Sequence, residues 1–146
     1  MQGSLFITGG TGFLGTELCA RLLEICDSPI YALVRASGDA EAFHRLRGAW
    51  QHDRALYAAI GVRVFPVPGD FEKPGLGLAP AAERALRECV THIFHAGAEV
   101  GFRESEAALT SVNREGTRNM LAFAASLQGL ERFVHKIGRA SCRERV

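Results

Sequence analysis

Three glycines near the start of the sequence, Gly9, Gly12 and Gly15, follow a short apolar segment and precede a segment of helical periodicity. In such a loop the first glycine allows a sharp turn, the second lets the backbone approach a pyrophosphate, and the third lets the helix pack closely. The helix N-terminus adds free N–H groups and partial positive charge. The spacing therefore predicts dinucleotide binding, and a tight turn without a ligand is the alternative. The predicted contacts from this loop are Gly9, Thr11, Gly12, Phe13, Leu14 and Gly15.

The end of the second predicted strand indicates which nucleotide is bound. Arg35 lies about 20 residues beyond Gly15, where an acidic residue would accept hydrogen bonds from the ribose of NAD. A cation there favours the extra phosphate of NADP, and no carboxylate follows the strand before Asp39. The sequence therefore predicts NADP, with NAD less favoured. An ordinary exposed arginine at a strand end is the alternative interpretation.

These residues must be positioned by alternating strands and helices. Apolar runs predict strands over residues 4–8, 30–34, 62–67 and 91–95, with a fifth beginning at 132. Helical periodicity predicts helices over 13–25, 40–50, 80–89 and 104–127. Right-handed crossovers then give an α/β fold, a doubly wound parallel sheet of the Rossmann type in the order 3-2-1-4-5. We expect the ligand crevice where strands 1 and 4 diverge.

Length and composition limit the protein class. The chain has 146 residues, of which 47% are hydrophobic and 23% are charged, with a formal net charge of +1. We therefore expect one domain, no membrane span, no nucleic-acid partner and a cytoplasmic location. His92 and His95 lie three apart on a predicted strand and thus on opposite faces, so no metal site is predicted. The sequence carries no signal for an oligomeric state.

The last residues of the sequence depart from the alternation of strands and helices. Residues 132–135 are typical of a buried strand, but the polar, arginine-rich segment that follows is not, and residues 137–146 resemble the translation of a sequencing-library adapter. We expect a truncated NAD(P)-binding domain over residues 1–135 and a non-native tail over 136–146. A natural basic tail is the alternative.

Further segments carry a family resemblance. Together with the glycine loop, IFHAGA over 93–98 and NREGTRN over 113–119 resemble the extended short-chain dehydrogenase/reductases. The run GDFEKPGLGL over 69–78 resembles, more narrowly, fatty acyl-CoA reductases and thioester reductase domains. This resemblance implies an NADPH-dependent enzyme that reduces a small-molecule acyl thioester, bound to CoA or to a carrier, to an aldehyde or an alcohol.

The resemblance also implies roles for single residues. Asp70 and Phe71 match positions that flank the adenine, with Asp70 accepting from its amino group, and a common strand-end turn is the alternative. Asn113 matches a helix asparagine that helps to hold the active-site water chain, with an ordinary polar helix residue as the alternative. The small residues that pass beside the cofactor ribose are matched by Ala96, Gly97 and Ala98.

The family's catalytic pair is a Tyr-x-x-x-Lys, in which the lysine lowers the pKa of the tyrosine for proton transfer. Neither Tyr31 nor Tyr57 has a lysine four residues later. We therefore expect the catalytic residues beyond His135 and an inactive fragment. The start at Met1, directly before the first strand, favours a free-standing reductase. The alternatives are a nucleotide-sugar epimerase or dehydratase, which normally favours NAD and an acid in place of Arg35, and a non-catalytic NADP-binding protein.

Overall fold

The computed structural model describes residues 3–98 and 106–136, in which five parallel strands form one sheet with helices on both faces. The strands are β1 (Ser4–Thr8), β2 (Ile30–Arg35), β3 (Val64–Gly69), β4 (Val90–His95) and β5 (Arg132–His135). The helices are α1 (Phe13–Ile25), α2 (Asp39–Trp50), α3 (Arg54–Ala59), α4 (Pro80–Cys89), α5 (Glu106–Leu109) and α6 (Gly116–Ser126). The strand order, β3-β2-β1-β4-β5, confirms the predicted doubly wound sheet.

The third strand begins later than predicted because a turn occupies its expected start. Gly61 has a φ of +80°, and its N–H donates to the carbonyl of Val64 at 2.8 Å. The short helix α3, which periodicity did not predict, precedes this turn. Asp53 caps α3 by accepting from the N–H of Leu56 at 3.0 Å. A helix of this length presents too few repeats for a helical period to stand out.

The helix predicted over residues 104–127 is interrupted. Its described part runs from Glu106 to Ser126, but Thr110–Glu115 forms a π-helical turn between α5 and α6. The hydroxyl of Thr117 donates to the carbonyl of Asn113 at 2.7 Å, a type of side-chain bond that often bends helices. Such turns occur frequently at functional sites. Residues 104 and 105 lie outside the described residues.

Two apolar clusters cover the two faces of the sheet, because alternate residues of each strand point to opposite sides. In β1, Leu5 and Ile7 face one cluster and Phe6 faces the other. The first cluster is closed by α1, α2 and α3 through Cys19, Leu46, Trp50 and Leu56. The second is closed by α4 and α6 through Leu86, Met120, Phe123 and Ala124. Helices thereby pack against both faces of the sheet.

Strand β5 lies at the edge of the sheet. Its residues are exposed except for the half-buried Phe133. The N–H of Lys136 donates to the carbonyl of His95 at 3.0 Å, so strand pairing continues one residue beyond β5. The rest of the predicted tail, residues 137–146, lies outside the described residues. Among the helices that the structure describes, none is long and apolar enough to span a bilayer.

Candidate functional site

A cleft of about 500 Å³ opens at the carboxyl ends of β1, β2, β3 and β4, where the sequence places the crevice. Its lining comes mainly from residues at or just after those strand ends. The lining residues are Gly9, Thr11, Gly12, Leu33, Val34, Arg35, Arg45, Gly69, Asp70, Phe71, Ala96, Gly97, Ala98 and Val112. Because four separate strands contribute, the fold itself brings these residues together.

Two glycines of the first loop are required by close backbone contacts. Gly9 has a φ of +76°, and a Cβ there would lie 2.7 Å from the carbonyl carbon of Ala96 and the nitrogen of Gly97. A Cβ at Gly15 would lie 2.0 Å from the carbonyl oxygen of Gly9. The close backbone contact expected at Gly15 is therefore made with Gly9 and Gly10 of the same loop. Any side chain at either position would push the loop away from β4 or from α1.

The middle glycine of the loop, Gly12, leaves space beside the start of α1. Its N–H donates to the carbonyl of Gly9 at 3.0 Å, and a Cβ there would meet only that oxygen, at 3.4 Å. Gly12 is also the N-cap of α1, and no described side chain caps the helix there. An uncapped N-terminus beside a cleft offers N–H groups and a positive dipole end to an anion. This geometry fits a dinucleotide pyrophosphate.

Helix α2 contacts the glycine loop through its last residue, Trp50. The indole N–H of the buried Trp50 donates to the carbonyl of Gly10 at 3.0 Å. The hydroxyl of Thr16 donates to the same carbonyl at 3.3 Å. Two donors therefore orient the Gly10 peptide.

Charged side chains converge where β2 and β3 end. The guanidinium of Arg35 is paired with the carboxylate of Glu72 and lies 3.7 Å from that of Asp70. Arg45, from α2, donates to the backbone carbonyl of Arg35. A second cavity of about 410 Å³ adjoins the cleft here, and both arginines and Lys73 line it. Asp70 and Glu41 line the same cavity, so basic and acidic residues both surround it.

Phe71 fills the space between the loop after β3 and the start of α6. A Cβ at Gly97 would lie 2.7 Å from its ring, and one at Gly116 would lie 2.5 Å from it. The side-chain amide of Asn119 donates to the carbonyl of Phe71 at 3.0 Å. Two glycines and an asparagine from distant elements thus fix this aromatic ring at the cleft wall.

His95, at the end of β4, is buried and connects β1 to α6. Its Nδ1 lies 2.6 Å from the hydroxyl oxygen of Thr8, and its Nε2 lies 3.3 Å from that of Thr117. The ring stacks on His135 with centroids 5.0 Å apart. Burial, reinforced by the neighbouring His135, lowers the pKa of His95 to about 4. The imidazole is therefore neutral at physiological pH.

The structure brings most of the predicted site residues together. Those that line the cleft are Gly9, Thr11, Gly12, Arg35, Asp70, Phe71, Ala96, Gly97 and Ala98. Phe13, Leu14, Gly15 and Asn113 do not line it. The Phe13 side chain is 96% exposed, Gly15 faces the loop, and Asn113 is exposed in the π-helical turn. Within the described ranges, no group of three or more His, Cys, Asp or Glu could hold a metal ion.

Several residues of the site were missed by sequence reasoning. Arg45, Trp50, Thr8 and Thr117 contact it from elements far apart in the chain. No local spacing indicates these contacts. Thr117 and Asn119 both lie within segment 113–119, which carried the family resemblance, and this was the signal that could have indicated them.

Comparison with known proteins places the chain in a family. The family model described as "Male sterility protein" matches residues 7–144. The chain belongs to this family. It is an NAD(P)-binding Rossmann domain, homologous to thioester reductase domains and fatty acyl-CoA reductases. The match extends through most of the segment predicted to be a non-native tail.

Three relatives illustrate the similarity. A linear gramicidin synthase protein of Brevibacillus parabrevis is 42% identical over 120 residues, which are 82% of this chain and 2% of that protein. The fatty acyl-CoA reductase wat of Drosophila melanogaster is 27% identical over 90% of this chain and 26% of its own length. The reductase domain of a nonribosomal peptide synthetase from Mycobacterium tuberculosis is 32% identical, with a TM-score of 0.77 over 92% of this chain and 33% of its own.

Proposed function

We propose that this domain binds NADP(H) in preference to NAD(H), and that it is the cofactor-binding part of a reductase acting on acyl-CoA or carrier-bound acyl thioesters. Bound NADPH supplies the hydride that reduces the thioester carbonyl. The residues of this chain bind and orient the cofactor.

The observation that carries the nucleotide preference is a pair of arginines, Arg35 at the end of β2 and Arg45 on α2. Arg35 and Arg45 line one cavity that adjoins the cleft, and Lys73 lines it from the loop after β3. A guanidinium presents a planar set of donors that suits a phosphate. No carboxylate stands at the end of β2 itself to accept a ribose diol. These features favour a nucleotide that carries a phosphate on its adenosine ribose.

The rest of the cleft fits the remaining parts of a dinucleotide. Gly12 and the start of α1 would hold the pyrophosphate, because they offer N–H groups beside open space. Asp70 would accept from the adenine amino group, and Phe71 would flank the ring. The small residues that would let the cofactor ribose lie against the backbone after β4 are Ala96, Gly97 and Ala98.

The proposed substrate class rests on the relatives. One is named a fatty acyl-CoA reductase, and another is a reductase domain of a nonribosomal peptide synthetase. The chain spans a third or less of these proteins, so the comparison applies only to the region that they share with it. The motif GDFEKPGLGL over residues 69–78, which forms the loop after β3, supports the same branch.

The nucleotide proposal is tested by calorimetry with NADPH and NADH. A charge-assisted contact to the extra phosphate contributes about 1.5–3 kcal/mol, so NADPH should bind roughly 10- to 150-fold more tightly. Arg35→Asp should remove most of that difference, because it weakens NADPH binding and places at the strand end an acid of the kind that accepts from the ribose of NAD. The matched control is Arg21→Asp, which makes the same charge change on the exposed face of α1. Equal affinities for both nucleotides in the unaltered chain would refute the preference.

We further propose that these residues alone bind cofactor without turning over a thioester. No Tyr-x-x-x-Lys occurs in the sequence. Without a positioned proton donor, hydride transfer typically loses about 10²- to 10⁴-fold in rate. The assay follows NADPH absorbance with a panel of acyl-CoA thioesters. Turnover above a protein-free blank that disappears in Gly12→Val would show that the proton donor lies within the sequence.

A further inference from the structure

His95 lies at the centre of a chain of hydrogen bonds that joins two segments of the chain at the cleft, the loop after β4 and the π-helical turn. On one side the N–H of Gly97 donates to the hydroxyl oxygen of Thr8 at 3.1 Å, and that oxygen lies 2.6 Å from Nδ1 of His95. On the other side Nε2 of His95 lies 3.3 Å from the hydroxyl oxygen of Thr117. The series thus runs from the loop that lines the cleft, through the sheet, to α6.

The direction of each bond follows from the number of protons available. The hydroxyl of Thr117 donates its one proton to the carbonyl of Asn113 at 2.7 Å, so its oxygen can only accept from His95. Nε2 of His95 therefore carries the ring proton, and Nδ1 is left as an acceptor. Thr8 then donates its hydroxyl proton to Nδ1, and its oxygen is free to accept from Gly97. Every donor in the series has one acceptor.

This arrangement tolerates only one form of the imidazole. With a ring protonated on Nδ1, the Thr8 oxygen would accept from both that N–H and the Gly97 N–H, and the Thr8 hydroxyl proton would lose its acceptor. The bare Nε2 would then face the oxygen of Thr117, whose proton is already donated to Asn113. The side chain of His95 is 1% exposed, so water cannot replace a lost partner. Phe71 packs edge-on against the ring at 5.4 Å and closes the remaining side.

We propose that His95 is a positioning residue for the cofactor site: as the neutral Nε2–H tautomer it fixes the Gly97 loop and the π-helical turn at Asn113 relative to each other. Both segments contribute to the cleft lining, the first through Gly97 and the second through Val112. His95 acts through Thr8 and Thr117 and does not itself line the cleft. The inference goes beyond the proposed function, because it holds for either nucleotide.

The first test uses the unaltered chain without cofactor. Long-range ¹H–¹⁵N correlation spectra of the histidine rings should show His95 as the Nε2–H tautomer near pH 7. A ring protonated on Nδ1, or on both nitrogens, would overturn the proposal. The Gly97 amide should be protected from hydrogen exchange, because Thr8 accepts its proton in a buried site.

The second test measures Gly97 exchange in variants. His95→Phe should accelerate it about 3- to 30-fold, as expected when one or two buried hydrogen bonds are lost. His95→Gln, which retains one donor and one acceptor, should give an intermediate rate. The matched control is His92→Phe, which replaces another buried histidine of β4 at the end away from the cleft. Equal acceleration in His95→Phe and His92→Phe would contradict a specific role.

The decisive variant is Thr117→Val, because valine keeps the shape of threonine and Thr117 does not contact Gly97. If His95 couples the two segments, this change should accelerate Gly97 exchange and weaken cofactor binding about 2- to 10-fold. Thr117→Val also tests the coupling if His95→Phe does not fold. Unchanged Gly97 exchange in Thr117→Val would show that His95 does not connect them. Since exchange is measured without cofactor, this result is separate from any failure of nucleotide binding.

Discussion

The indole nitrogen of Trp50 lies 3.0 Å from the carbonyl oxygen of Gly10, so the last residue of α2 holds the glycine loop that follows β1. Trp50 is the one tryptophan of the sequence. It is also within hydrogen-bond range of the hydroxyl of Thr16, at 3.2 Å. The aromatic side chain therefore both fills the core under α1 and orients a peptide of the cofactor loop.

Trp50 should report cofactor binding by its fluorescence. Because its N–H is bonded to the loop that would take the pyrophosphate, a small change in the Gly10 peptide alters the environment of the indole. Titration with NADPH should change the tryptophan emission in parallel with the calorimetric isotherm. An emission that stays constant while calorimetry shows saturation would contradict the coupling between Trp50 and the loop.

Trp50→Phe should weaken cofactor binding about 2- to 10-fold, since the Gly10 carbonyl keeps only the donor from Thr16. The change also leaves a cavity, which typically costs about 1–3 kcal/mol of stability. Ile60→Val is the control, because it creates a cavity in the same apolar cluster without touching the loop. That variant should lower the urea midpoint and leave the cofactor affinity unchanged.

The ends of β1 and β4 were predictable from sequence because each is followed by small residues that the loop requires, whereas β2 and β3 end one and two residues beyond the predicted bounds. Phe13–Ile25 and Pro80–Cys89 were predicted with the bounds that the structure shows. The glycine of the first turn, Gly9, was predicted for the same reason: its φ of +76° is rarely adopted by other residues. Local periodicity and turn chemistry were sufficient for these features.

The contacts within the site were less predictable, because they join residues that are distant in sequence. Trp50 lies 40 residues from Gly10, and Thr8 lies 87 residues from His95. The π-helical turn depends on Thr117 and on the packing of Phe71 against Gly116, neither of which changes the helical period. The pairing of Arg35 with acids after β3 likewise depends on strand order. Such contacts exist only after the sheet has formed.

Glu72→Gln should strengthen NADPH binding. In the folded chain the carboxylate of Glu72 pairs with the guanidinium that is proposed to bind the extra phosphate, so the two anions compete for Arg35. Removing that charge should tighten NADPH binding about 2- to 5-fold, because the exposed pair contributes about 0.2–1 kcal/mol. NADH affinity should not change.

Glu83→Gln is the control for this substitution. It removes the same charge from an ion pair with Arg87 on α4, away from both cavities. Equal tightening in Glu72→Gln and Glu83→Gln would indicate a general effect of net charge. Weaker NADPH binding in Glu72→Gln would show that Glu72 orients Arg35 for the phosphate instead of competing with it.

His95 should also make stability depend on pH. The pKa of its ring is about 4 in the folded chain because of burial and the neighbouring His135, against an ordinary value of about 6.5 when unfolded. Between these values the unfolded chain binds a proton that the folded chain does not. The free energy of unfolding should therefore fall as pH falls from about 6.5 towards 4, by up to about 1.4 kcal/mol per pH unit.

His95→Gln should remove this component of the pH dependence. Urea unfolding at a series of pH values would show the difference between the unaltered chain and the variant shrinking as the solution becomes more acidic. His44→Gln, on the exposed face of α2, controls for the loss of one histidine. A constant difference across the range would mean that the folded chain protonates His95 as readily as the unfolded chain does.

The last prediction concerns the segment proposed to be a non-native tail. Deletion of residues 137–146 should leave the free energy of unfolding, measured by urea titration, within about 0.5 kcal/mol of the original, since residues without evolved partners contribute little. Deletion from Lys136 onward should cost about 0.5–1.5 kcal/mol more, because Lys136 donates to the carbonyl of His95 at 3.0 Å. A loss above about 1 kcal/mol in the shorter deletion would show that the segment packs natively. The family match through residue 144 would then reflect a genuine part of the domain.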